Sequence, residues 1–145
     1  MEPPRTTAPN ARAMRVIHLA LTLGLTLAGV VFYLVRRVQQ LPPLVHSPAV
    51  GIALAVAAAS ALVVAVTVVR PRVPEQAPEQ TRDSYWEVAT VRMTVIVLWA
   101  AVEGAGLLGA VGYILTGATA PAIALALGIV TLATLGPGRF EQGDA

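Results

Sequence analysis

Four long apolar runs, at residues 14–35, 49–69, 93–116 and 118–135, constrain this chain more than any other feature. Each is near the roughly 20 residues that a helix needs to cross about 30 Å of hydrocarbon at 1.5 Å per residue. Backbone inside a bilayer must satisfy its own polar groups, which leaves only helices and closed barrels. Barrel strands alternate polar and apolar residues over about ten positions, whereas these runs are apolar all round. The runs therefore predict an all-α protein, a four-helix transmembrane bundle with antiparallel neighbours. Composition agrees, because 56% of the 145 residues are hydrophobic and only 12% are charged, against about 25% charged in soluble domains. Such a chain cannot cover a water-facing surface.

Punctuation between the runs supports the same division. Pro42 and Pro43 break the first connection, Pro48 suits the first turn of a helix, and Pro71 stops the second span just after Arg70. Gly117 is placed to cap the third span, and Thr119 with Pro121 restarts the fourth after a short turn. Ser84 and Glu87 have capping-box spacing, which predicts that the third helix begins in the 70–92 loop and carries Tyr85 and Trp86 at headgroup level. The first run follows basic residues, as a signal peptide would, but it ends in Arg36 and Arg37 without a small-residue cleavage site and is read as retained. The polar stretches 1–13 and 138–145 are expected to be disordered cytoplasmic tails around one membrane domain, 14–137.

All the basic residues are arginines, and they are unevenly shared between the ends of the spans. Arg5, Arg12, Arg15, Arg70, Arg72, Arg82, Arg92 and Arg139 fall on one side, while Arg36 and Arg37 fall on the other. Arginine-rich flanks stay in the cytoplasm, so both termini are predicted inside a bacterial inner membrane. Phe32, Tyr33 and Tyr113 then lie at the outer interface, where amphipathic rings prefer to sit. These arginines lie beside apolar runs with no interleaved aromatics, a pattern for lipid rather than nucleic acid.

Chemistry has to be sought among the few polar groups inside the spans. Glu103 lies eleven residues beyond Arg92, roughly 16 Å into the bilayer and close to its midplane. An ionised carboxylate there costs several kcal/mol, so the protonated form is favoured unless a partner holds the charge. Its surroundings on the helix are small, with Ala100, Ala101, Gly104, Ala105, Gly106, Gly109 and Ala110. Small residues four apart, as in Ala101, Ala105 and Gly109, allow another backbone to approach closely. Gly51, Ala53, Ala55, Ala57 and Ala59 give the second span a similar small-residue character. Counting equal depths along the other spans brings Thr26 and Ser60 to the level of Glu103, with Thr22 nearby, as hydroxyl partners. An ion- or proton-binding group of Glu103, Thr26 and Ser60 is the candidate site; the competing reading is one protonated side chain that holds helices together, worth about 0.6–2 kcal/mol.

The third span, with Arg92, Glu103, Leu108, Gly109 and Val111, resembles the carboxylate-bearing helix of the rotor-ring proteolipid, the c subunit, of rotary ATP synthases. The alternating Gly51 to Ala61 pattern before it is similar to that family's small-residue motif, and Arg70, Pro71, Pro74 and Glu75 loosely resemble its polar loop. The resemblance implies a coupling-ion carrier role for Glu103 alone. The 70–92 connection is longer than that family's, and the first and fourth spans have no counterpart in its two-helix form. The chain also resembles a class of small bacterial four-span membrane proteins, through Arg92, the Ala-rich stretch, Glu103-Gly104 and the closing Leu115-Thr116-Gly117, with Val16 to Leu19 in the first span. That second resemblance implies a membrane fold and no activity.

Other constellations are weak. His18 reads as an interfacial hydrogen-bonding side chain, and His46 lies in the outer loop a membrane thickness away, so the two make no metal site. Trp99 lies deeper than an aromatic belt and reads as packing. With no cysteine there is neither disulfide nor thiolate chemistry, and no catalytic triad, P-loop or dinucleotide fingerprint occurs. The sequence thus predicts no enzyme, cofactor or metal. It leaves two function classes: a scaffold or accessory subunit, packing through small-residue faces against itself or a larger membrane complex, and a proton- or cation-handling element built on Glu103.

Overall fold

The computed structural model describes residues 9–141, and every regular element among them is helical. Helix α1 covers Pro9–Gln39. Helix α2 covers Pro48–Val64 and continues into a π-helical turn, Ala65–Val69, and a 3-10 turn, Arg70–Arg72. A six-residue helix α3, Arg82–Glu87, precedes α4, Ala89–Thr116. Helix α5 is Thr119–Thr134, followed by a 3-10 turn at Pro137–Arg139. Three stretches are long and apolar enough to cross a membrane: Asn10–Gln39, Pro48–Arg72 and Ala89–Thr116. The 16 residues of α5 are equally apolar but shorter, about 24 Å at 1.5 Å per residue.

Helix α4 is the centre of the bundle and packs against all three other long helices, while α1 and α2 occupy opposite flanks of the α4–α5 pair. Half of the most apolar stretch of α4 is buried, against 6% of that of α1, so α1 turns most of its surface outward. Directions follow from which residues meet. Gly51 at the start of α2 faces Thr116 at the end of α4, so these two are antiparallel. Gly112, Gly109 and Gly106 meet Pro121, Leu125 and Gly128 in turn, which makes α4 and α5 an antiparallel hairpin. Leu25 of α1 covers Gly106 and Arg36 reaches Gly117, so α1 runs parallel to α4. Chain neighbours thus alternate in direction, as predicted, but the α1–α4 contact is parallel.

The α4–α5 turn is closed by groups from three segments. Gly117 adopts φ 66°, a left-handed conformation that glycine takes without steric penalty, and its N–H bonds Tyr113 O at 2.8 Å. The Arg36 guanidinium donates to Ile114 O at 2.7 Å, and the N–H groups of Leu44 and Val45 reach Leu115 O at 2.9 and 3.1 Å. The last carbonyls of α4, which no helical N–H can reach, are thereby satisfied.

The opposite end departs from the sequence prediction in three ways. The third span does not start at a Ser84–Glu87 capping box. Thr81 is the cap, its hydroxyl accepting from Ser84 N at 3.3 Å, and extended backbone at Val88 separates α3 from α4. Tyr85 and Trp86 are fully buried, in a cluster with Ala11 and Met14 of α1 and Val91 and Val95 of α4. Helix α1 starts at Pro9, before the predicted 14, because this cluster gives its extra turn an apolar surface to cover. At the other terminus, Phe140 and Glu141 dock where a disordered tail is predicted. Residues 1–8 and 142–145 lie outside the described ones.

Candidate functional site

Glu103 sits midway along α4, half-buried, on the side that faces α1. Its Oε1 lies 3.9 Å from the place where a side chain on Gly24 would begin. Helix α2, which carries Ser60, is on the far flank, and Ser60 itself points outward. Thr22 donates to His18 O at 2.9 Å and Thr26 to Thr22 O at 2.7 Å, each within its own helix. Neither predicted hydroxyl therefore bonds the carboxyl, which has no hydrogen-bond partner among the described residues. The reason is local: a threonine in a helix can bond the carbonyl four residues back without ordering another element. Depth along the helices is legible in the sequence, whereas the rotation of each helix is not.

The backbone around Glu103 leaves room. Gly24 and Gly104 are exposed, and a methyl added at Gly104 would meet nothing within 4 Å. The site is a notch between α1 and α4, open to the outside of the bundle, with a carboxyl group on its wall. Chemically the carboxyl can accept hydrogen bonds, donate one when protonated, or exchange a proton. Among the described residues no three His, Asp or Glu side chains converge on a metal position.

The small residues divide by role. Ala105, Gly106 and Gly109 are buried and Ala101 half-buried, as their spacing predicts. Gly106 and Gly109 meet α5 and α1 rather than α2: a Cβ on Gly109 would lie 2.6 Å from Leu125 N, one on Gly106 would lie 2.6 Å from the Leu25 side chain, and one on Gly128 would lie 2.7 Å from Gly106 Cα. On α2, Gly51 is buried and Ala55 half-buried, but Ala53, Ala57 and Ala59 are exposed. An every-second-residue pattern spreads around a helix, so only members near the inward stripe of Gly51, Ala58, Leu62 and Ala65 can pack.

Two polar clusters tie α1 to the rest. In the first, His18 Nε2 and Trp99 Nε1 bond Leu132 O at 2.8 Å and Leu135 O at 2.7 Å, with the rings 4.8 Å apart. A carbonyl only accepts, so His18 carries its proton on Nε2. Trp99 thus caps the end of α5, beyond the packing role read from its depth. In the second, Glu141 accepts from Trp86 Nε1 at 2.8 Å and from Arg15 at 3.1 Å, with Arg82 at 3.8 Å. Burial, and then the Glu141 carboxylate, push the Tyr85 hydroxyl above its usual range, while that hydroxyl donates to Pro74 O at 2.7 Å. Glu141 escapes sequence reasoning because it follows Pro137 and Gly138, which signal a loop end; its one cue is an acid at the arginine-rich end.

Comparison with known proteins yields no matching family model, no similar curated protein and no similar solved structure.

Proposed function

We propose that this chain is a non-catalytic accessory subunit of a membrane complex, seating a helix of a partner protein in the notch between α1 and α4. In this reading α5 crosses the bilayer with the three longer helices. The end carrying Arg12, Arg15, Arg70, Arg92 and Arg139 faces the cytoplasm, with both termini, in a bacterial inner membrane. The observation that carries the proposal is Glu103: a carboxyl midway along α4 with no partner among the described residues, flanked by glycines that leave space for another backbone. Intramembrane ionisable groups are costly and face a partner or a cavity. A partner helix presenting a hydrogen-bond donor at that depth would satisfy the group and cover the notch.

The chain has no native cysteine, so a Gly104→Cys variant is a single-site crosslinking probe. Its added atoms have open space, so it leaves the fold intact. In native membranes it should yield a heteromeric adduct that survives Glu103→Gln, which still hydrogen-bonds, and disappears in Glu103→Leu. An adduct unaffected by Glu103→Leu, or one containing only a second copy of this chain, overturns the proposal.

The half-open position of the carboxyl also fits a second reading, in which Glu103 carries a proton or cation. That reading predicts carbodiimide labelling of Glu103 that rises at acidic pH and is blocked by sodium. It further predicts loss of any proton-dependent activity in Glu103→Gln.

A further inference from the structure

A second polar site lies at the arginine-rich end, away from Glu103. A cavity of about 270 Å³ opens between the end of α2, the following loop and the C-terminal 3-10 turn. Arg70 and Arg139 line it, and both also line an adjoining hollow beside Thr134 and Leu135. Neither guanidinium forms an ion pair with a described residue, although Glu75 borders the same cavity. Glu141 is engaged by Arg15 and Arg82, and no described acid pairs with Arg70 or Arg139. Two cations drawn from separate elements repel each other unless an anion lies between them.

Two further observations bear on the site. Glu75 lines the cavity beside the two arginines, so its wall offers an acceptor as well as cations. The π-helical turn Ala65–Val69 leads directly into Arg70, and such turns recur at functional sites. Val66 and Phe140 make part of the wall apolar.

We propose that this cavity binds the headgroup of a membrane phospholipid carrying a hydrogen-bond donor. Arg70 and Arg139 take the phosphodiester, Glu75 accepts from the headgroup's ammonium or hydroxyl, and Val66 and Phe140 meet the start of the acyl chains. Guanidinium suits this role because its planar donors match phosphate oxygens two at a time. The inference rests on the membrane location, and not on the partner helix at Glu103. Its position beyond the apolar part of α2 is headgroup depth.

The test is lipid titration of the detergent-solubilised full chain, read by native mass spectrometry. Phosphatidylethanolamine and phosphatidylglycerol should bind in preference to phosphatidylcholine, whose headgroup has no donor. Arg70→Gln and Arg139→Gln should each weaken binding about tenfold, as loss of one charge-assisted contact does. Arg72→Gln, at the same end but outside the cavity, should leave binding unchanged, and Glu75→Leu should abolish the headgroup preference. Trp86 and Trp99 emission verifies that each variant is folded. Equal effects from Arg72→Gln, no preference over phosphatidylcholine, or competition by free inorganic phosphate at equal affinity would each overturn the proposal. If the membrane reading itself is wrong, wild-type chain appears in the soluble fraction before any titration, so the two failures are distinguishable.

Discussion

Replacing Gly109 by alanine tests the packing on which the whole bundle depends. The added methyl would lie 2.6 Å from Leu125 N, 2.9 Å from Pro121 O and 3.1 Å from Ala124 C, all backbone atoms of α5. No side-chain rotation relieves such a contact, so α5 has to move away from α4. Ordinary contact begins at 3.4 Å, so the required displacement is about 0.8 Å, enough to forfeit a quarter to a half of the dispersion attraction across a contact. The loss extends along the seam, because Gly106 against Gly128 and Gly112 against Pro121 belong to the same interface. Overpacking of this kind costs about 1–3 kcal/mol, and lipid supplies no hydrophobic force between helices to offset it.

The control is Gly104→Ala on the same helix, where the methyl meets nothing within 4 Å. Both variants gain the same helix propensity, up to about 1 kcal/mol, so the difference between them isolates the clash. Reversible unfolding in mixed micelles, followed through Trp99, reads it directly, since Trp99 Nε1 is bonded to Leu135 O just beyond α5. Gly109→Ala should fall about 1–3 kcal/mol below Gly104→Ala. Equal stability of the two would show that α4 and α5 are not in backbone contact, and the account of the bundle would fail.

Two further outcomes follow from the ends of the bundle. Because the Tyr85 hydroxyl titrates above its usual 10.0 in the folded chain, its contribution to stability is complete below pH 10 and is lost as pH climbs through the raised value; Tyr85→Phe should flatten this alkaline loss in Trp86 emission, and an unchanged profile would refute the assignment. Arg36→Gln removes the donor that holds Ile114 O and Leu41 O; it should cost about 1–2 kcal/mol and speed hydrogen exchange at Gly117 and Ala118, while unchanged exchange would mean that solvent, not Arg36, satisfies those carbonyls.

How much of this was legible in the sequence depends on what decides each feature. Helices are legible because unbroken apolar runs in hydrocarbon have no other backbone solution, and the ends are legible because Pro48 and Gly117 act locally. The inward faces of α2, α4 and α5 are not, because lipid and protein core are both apolar and polarity cannot orient such a helix. Volume orients it instead. Gly106, Gly109, Gly112 and Gly128 lie where backbones meet, while the alanines at 53, 57 and 59, each one methyl larger, face outward. Helix α3 escapes because its capping residue, Thr81, lies three positions before the Ser84 that the capping-box pattern selects. At Glu103 the two signals conflict: glycines at 24 and 104 make room as at an interface, yet no described element fills it. An acid left unmatched between two helices breaks a local rule, and such breaks concentrate where function supplies the missing contact.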